Sequence, residues 1–131
     1  MGATTVRYRS GLEKRTAKFL QKHKVKFKYE TLKIPWQPAI KTYTPDFILP
    51  NGIIVETKGR FLPSDRMKHL MVKEQHPEYD IRFVFSNPNA KLLKGSKTTY
   101  ADWCEKHGFL YAKETIPFSW IKEKRSWQCW L

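Results

Sequence analysis

The fold class this sequence predicts is α/β, in a single domain. Three observations carry it. Stretches of helical periodicity alternate with short stretches of strand periodicity, the helical ones open on recognisable N-caps, and no low-complexity linker divides the 131 residues. A chain of that length can bury a modest core, and no repeat at a solenoid period is present.

Ser10-Gly11-Leu12-Glu13 is a capping-box pattern, so a helix is expected from about residue 11 to about His23. Leu12, Thr16, Phe19, Leu20 and His23 fall on one side of it, with Lys and Arg mostly on the other. Glu13 lies at the border of the apolar side, where it can complete the cap or serve as a carboxylate in a site. Val25-Lys26-Phe27-Lys28-Tyr29 alternates as a half-buried strand. The apolar parity then shifts to Leu32 and Ile34, which predicts a bulge or a change of environment. Pro35-Trp36-Gln37-Pro38 interrupts the pattern, and a second strand is expected from near Lys41 through Tyr43 to Asp46.

The stretch from Thr44 to Gly59 reads as a β-hairpin, with Pro50-Asn51-Gly52 as its turn. A two-residue type I′ loop at Asn51-Gly52 would set Asp46 opposite Thr57 and turn Glu56 to the other face. A three-residue loop, with Pro50 and Asn51 in a type I turn and Gly52 in the left-handed bulge position, would set Asp46 across from Glu56. Lys58 follows Glu56 by two residues and so projects to the same side. Opposed carboxylates repel, and a divalent cation such as Mg²⁺ or Mn²⁺ would relieve that cost. The plainer reading of the same spacing is a turn acid at Asp46 and a surface ion pair between Glu56 and Lys58.

Beyond the hairpin, Ser64 is expected to cap a helix carrying Met67, Leu70 and Met71 as core residues and closed by His76-Pro77. Ile81-Arg82-Phe83-Val84-Phe85 reads as a strand. Thr98 or Thr99 caps a helix through Tyr100, Trp103, Cys104 and His107 that ends at Gly108, and Phe109-Leu110-Tyr111 is a short strand. The tail from Ser119 mixes Trp120, Trp127 and Trp130 with Lys122, Lys124 and Arg125. Such a tail either docks on the domain or stacks on unpaired nucleotides.

The composition narrows the function classes. The formal charge is +13, and residues 1–43 hold eleven bases against two acids. A surplus of this kind suits a polyanionic partner. No hydrophobic face stands opposite the lysines, which argues against a membrane surface. No apolar run reaches transmembrane length and no signal-peptide pattern opens the chain, so an intracellular, non-secreted protein is expected. Val6 breaks the myristoylation pattern that Met1-Gly2 begins. Cys104 and Cys129 have no zinc or redox spacing and are expected to be free thiols, Cys104 packed. His23, His69, His76 and His107 are dispersed, and no P-loop or nucleophile elbow is present, so no nucleotide cofactor is expected. The carboxylates remain as the chemical residues.

The order helix, strands, helix, strand, with Pro45-Asp46 followed by Glu56-Thr57-Lys58, resembles the PD-(D/E)xK nuclease superfamily. Tyr43-Thr44-Pro45-Asp46-Phe47, Leu49-Pro50-Asn51-Gly52-Ile53 and Val55-Glu56-Thr57-Lys58-Gly59 sharpen the match, together with Ser10 to Glu13, Lys68-His69-Leu70, Glu74 to Glu78, Lys94-Gly95-Ser96, Cys104 to Gly108 and Trp120 to Glu123. Over residues 8–123 the chain resembles the phage endonuclease I family of Holliday-junction resolvases. The resemblance implies a restriction-endonuclease-like core, a central mixed β-sheet flanked by helices, in a domain-swapped homodimer that cuts branched double-stranded DNA and leaves 5′-phosphates.

It places the family's acids on Glu13, Asp46 and Glu56 and its lysine on Lys58. Two Mg²⁺ or Mn²⁺ ions per site are implied, one held by Asp46, Glu56 and the backbone carbonyl of Thr57, the other by Asp46 and Glu13. The basic residues expected at DNA are Arg7, Arg9, Lys14, Lys18, Lys58, Arg60 and Lys94. The single nuclease domain would divide into an exchanged segment, 1–34, a bridge, 35–43, stiffened by Pro35 and Pro38, a catalytic core, 44–123, and a tail, 124–131. If the source is a phage, the host cytoplasm is the implied compartment. Two other readings of the basic surface stand beside this one: a non-enzymatic architectural DNA-binding protein, and a sequence-specific restriction-like endonuclease.

Overall fold

The computed structural model describes residues 6–36 and 41–124. Ser10 accepts a hydrogen bond from the N–H of Glu13 at 3.1 Å and opens helix α1, Gly11–Lys22. The reciprocal half of the expected capping box is absent. The Glu13 carboxylate accepts instead from the N–H of Arg9 at 3.0 Å and from the Tyr29 hydroxyl, which pull it away from the cap. The helix closes with Val25 N–H to Leu20 O and Lys24 N–H to Gln21 O, a Schellman arrangement with Lys24 in the left-handed conformation at φ +55°.

Of the stretch expected as one strand, only Lys28–Tyr29 pairs, as β1. The parity shift after it has a backbone cause. Glu30 is left-handed at φ +52°, which turns the chain out of one sheet and into another. There β2, Ile34–Trp36, pairs antiparallel with β3, Lys41–Tyr43. The described ends of the 35–43 bridge are therefore paired with each other in this structure. Pro38 lies outside the described residues. The expected continuous strand to Asp46 is two pieces, β3 and β4, Phe47–Ile48.

The hairpin β4–β5, with β5 at Ile54–Lys58, takes the three-residue loop. Leu49 N–H donates to Ile53 O, Gly52 N–H donates to Leu49 O, and Gly52 sits at φ +89°, where a side chain would be strained. Phe47 pairs with Val55 and Ile48 with Ile54, so the register continues to Asp46 opposite Glu56.

Helix α2 is Pro63–Gln75, capped two residues earlier than the Ser64 expectation: Leu62 is the N-cap, Pro63 the first helical residue, and Asp65 accepts from Leu62 N–H at 3.0 Å. Its phase buries His69 and Val72, and Met67 is consequently 60% exposed rather than core. Next come β6, Ile81–Phe85, and α3, Tyr100–His107, the latter capped by Thr99 and ended by Gly108. The chain continues through β7, Tyr111–Lys113, two residues later than expected, and α4, Phe118–Lys122, which periodicity did not reveal.

The central sheet runs β1-β4-β5-β6-β7, antiparallel on the hairpin side and parallel from β5 to β7. It is the mixed sheet flanked by helices. One face packs Ile48, Ile54, Phe83 and Phe85 against Val72 of α2 and Trp103 and Cys104 of α3. The other packs Phe47, Val55 and Val84 against Ala17 and Leu20 of α1 and Trp120 of α4. Cys104 is a buried free thiol, as expected; Cys129 lies outside the described residues. Trp120 is buried and docks the tail, while Trp127, Trp130 and Arg125 lie outside the described residues. Asn51 in the hairpin turn also holds that segment, donating to the carbonyls of Trp120 and Glu123 at 2.7 and 2.9 Å.

Candidate active site

The two arms of the hairpin bring Asp46 and Glu56 together at the end of the sheet where its two helical layers meet. From one side α1 supplies Glu13, and from the other α2 supplies Asp65 and Lys68. These side chains surround a cavity of about 410 Å³ lined by Arg9, Glu13, Thr42, Tyr43, Thr44, Asp46, Glu56, Thr57, Lys58 and Lys68. Asp46 and Glu56, the acids the hairpin spacing singled out, and Glu13, the acid the resemblance placed with them, are all buried. That burial removes the plain turn-acid and surface ion-pair reading.

Each carboxylate is held by hydrogen bonds that leave oxygen lone pairs for a further partner. Asp46 Oδ2 accepts from the N–H and the hydroxyl of Thr57 at 2.9 and 2.8 Å. Glu56 Oε1 accepts from the Tyr43 hydroxyl at 2.8 Å and from Asp46 N–H at 3.3 Å. Burial, and then the neighbouring charges of Glu56 and Glu13, push the Asp46 carboxyl up to about 8 against the two Thr57 bonds. Burial also raises Glu56, opposed by Lys58, the Tyr43 hydrogen bond and Lys68. Crowded, buried acids with raised pKa values are the electrostatic pattern of a functional site.

Lys58 lies 3.8 Å from Glu56 and 3.2 Å from Asp65. Burial alone would lower its pKa, but Glu56 and Asp65 outweigh it and keep the ammonium charged. Asp65 thus holds the lysine with one oxygen and caps α2 with the other.

Glu30 completes the acidic wall. Ligand oxygens of Glu13, Glu30 and Asp46 lie within 4.8 Å of one another, and Glu30 N–H donates to Asp46 O at 3.1 Å. Its carboxylate pairs with Arg9 at 3.1 Å. The donor set is entirely oxygen, in a buried and negatively crowded pocket, and it fits a hard divalent cation.

All five predicted chemical residues, Glu13, Asp46, Glu56, Thr57 and Lys58, come together here. Of the basic residues, Arg9 and Lys58 line the cavity; Arg7, Lys14, Lys18, Arg60 and Lys94 are exposed and do not line it. Sequence reasoning missed Tyr29, Glu30, Tyr43, Asp65 and Lys68 as parts of the site. Tyr43 and Lys68 carried a signal, each standing in a stretch on which the family resemblance rests. His69, behind Tyr43, is fully buried, packs edge-on to Tyr43 and Phe83, and is held neutral by burial.

Known proteins match this chain along nearly its whole length. The family model described as phage endonuclease I matches residues 1–129. The chain is 55% identical over 120 residues to Endonuclease I of Escherichia phage T7, covering 90% of this chain and 80% of that protein. It is 52% identical over 120 residues to Endodeoxyribonuclease 1 of Enterobacteria phage T3, covering 90% and 79%. With its acids and lysine gathered in one cavity, the chain belongs to the phage endonuclease I family.

Proposed function

We propose that this endodeoxyribonuclease is metal-dependent and structure-selective, resolving four-way junctions and other branched DNA inside an infected host cell. The observation that carries the reading is the convergence of Glu13, Asp46, Glu56 and Lys58 in one cavity of a chain with a formal charge of +13. An architectural DNA-binding protein accounts for the charge but has no use for buried, mutually repelling acids. A sequence-specific enzyme would have to read base edges in a groove, a task that the buried acids and Lys58 do not serve.

Asp46, Glu56 and the carbonyl of Thr57 would hold one Mg²⁺ or Mn²⁺ ion, and Asp46 with Glu13 a second, with Glu30 beside them. In a strand a residue's N–H and C=O leave toward the same neighbour, and the Thr57 N–H already faces Asp46. When bound, such ions lower the pKa of water and stabilise the oxygens entering and leaving the phosphate. Thr57 keeps Asp46 oriented, and Tyr43 does the same for Glu56. Lys58, charged and fixed by Asp65, faces the place where charge builds on the phosphate and orients the attacking water. Bond cleavage at the 3′-oxygen leaves a 5′-phosphate.

The reading includes a restriction-endonuclease-like core and a homodimer in which residues 1–34 are exchanged. Glu13 reaches Asp46 within one chain here, and an exchange through the bridge would make the same contacts between two.

Paired nicks near the branch point of a labelled four-way junction, seen with Mg²⁺ and lost with chelator, are the expected result. An equal-length linear duplex should stay intact. Binding without cutting under both conditions would favour the architectural protein, and equal cutting of the linear duplex would remove the structure selectivity.

The Tyr43 hydroxyl gives a separate test. Tyr43→Phe removes one of the two hydrogen bonds to Glu56 Oε1 and should weaken Mn²⁺ binding by about 10–100-fold, as loss of a group that orients a ligand does. Calorimetric titration of the DNA-free protein measures it. An unchanged affinity would mean that Glu56 needs no such anchor.

A further inference from the structure

Three cations line the cavity, and two of them already have carboxylate partners. Arg9 pairs with Glu30 at 3.1 Å, and Lys58 with Asp65 at 3.2 Å and Glu56 at 3.8 Å. The third, Lys68, has no carboxylate within 4 Å among the described residues. Its ammonium stands 5.5 Å from the centre of the Tyr43 ring. An aromatic face of this kind steadies an ammonium without neutralising it.

Helix phase explains how Lys68 comes to be there. It follows Asp65 by three residues and therefore shares its side of α2. The next residue, His69, is fully buried against Tyr43 and Phe83, which locks the rotation of the helix. Lys68 is thus directed at the cavity rather than left to solvent. It also acts on the site's charge, lowering the pKa of Glu56 from a distance.

We propose that Lys68 is a substrate-binding residue, the cation that takes a backbone phosphate of the DNA lying in this cavity. The assignment rests on the nuclease reading of the site. Lys58 is held against the acids that surround the reacting phosphate, whereas Lys68 is free to form an ion pair with the strand as it enters. Its role is electrostatic attachment and placement of the strand, with no proton transfer.

The test is binding of a labelled four-way junction in chelator over a series of salt concentrations, using wild type, Lys68→Met, Lys68→Arg and, as a control, Lys106→Met at an exposed position on α3. Each phosphate neutralised contributes about 0.9 to the slope of log affinity against log salt. Lys68→Met should lower that slope by about 0.9 for each protomer that engages the junction and weaken binding roughly tenfold per site at moderate salt, by the same counterion arithmetic. Lys68→Arg should restore the slope, and Lys106→Met should leave it unchanged. A Lys68→Met protein with wild-type slope and affinity, whatever its melting temperature, would reduce Lys68 to packing on Tyr43 and overturn the assignment. An equal loss in Lys106→Met would overturn it too, by showing a general charge effect. Wild-type protein that fails to bind the junction would overturn the junction-resolving reading on which the assignment rests.

Discussion

Asp46→Asn should lower junction cleavage by at least about 10³-fold, the scale on which removal of a charge-stabilising group acts in a water-excluded site. It should leave junction affinity in chelator within about twofold of wild type, since the basic surface that supplies that affinity is unchanged. Among the described residues Asp46 is the acid placed to serve both proposed ions, facing Glu56 on one side and Glu13 on the other. The variant should still fold. An asparagine oxygen can accept the two hydrogen bonds that Thr57 donates at 2.9 and 2.8 Å, and like the protonated carboxyl it adds no charge to the crowded acids. Gel assays of cleavage and equilibrium binding on the same junction measure the two effects. Cleavage within tenfold of wild type would remove Asp46 from the chemistry.

The second expected result concerns stability without metal. In the folded chain the Asp46 carboxyl is raised to about 8 from an ordinary value of 3.8, so between those pH values the folded state holds a proton that the unfolded chain has released. Stability therefore falls as pH rises. The contribution is fully present below about pH 4 and is lost as pH passes through about 8. Between about pH 6 and about pH 9 the chelated protein should lose roughly 10 °C in melting temperature, the scale of about 3 kcal/mol in a domain of this size.

Excess Mn²⁺ binds the ionised carboxylates and so should restore stability most at the alkaline end. Asp46→Asn should flatten the pH dependence in this window and abolish most of the metal-induced rise. Thermal melts across pH, with and without metal, test both statements. A wild-type melting temperature that rises with pH in chelator would contradict the assigned protonation of Asp46.

Much of the site was legible in the chain because it depends on short-range geometry. Pro50-Asn51-Gly52 admits two loop lengths, and the three-residue one demands a left-handed backbone at the glycine alone, whereas the two-residue type I′ loop demands it at Asn51 as well. That loop sets the register, the register sets Asp46 across from Glu56, and the strand period adds Lys58. The cap at Ser10 and the closure of α3 at Gly108 were legible for the same reason, since a cap is a contact between near neighbours. The unpaired residues around Val25, the start of α2 at Pro63 and the short helix α4 were not. Their boundaries depend on what packs against them rather than on their own periodicity.

The sequence alone, then, carried the α/β alternation, an excess of positive charge, and a hairpin turn with two possible loop lengths, one of which opposes two acids beside a lysine. Tertiary structure alone decided that these acids are buried, that Glu13 joins them from α1, and that Tyr43, Asp65, Glu30 and Lys68 hold or surround them. The physical reason is distance along the chain. Residues from 13 to 68 meet in this cavity only after the left-handed turn at Glu30, the β2–β3 pairing and the burial of His69 have set the paths and rotations that no local pattern encodes.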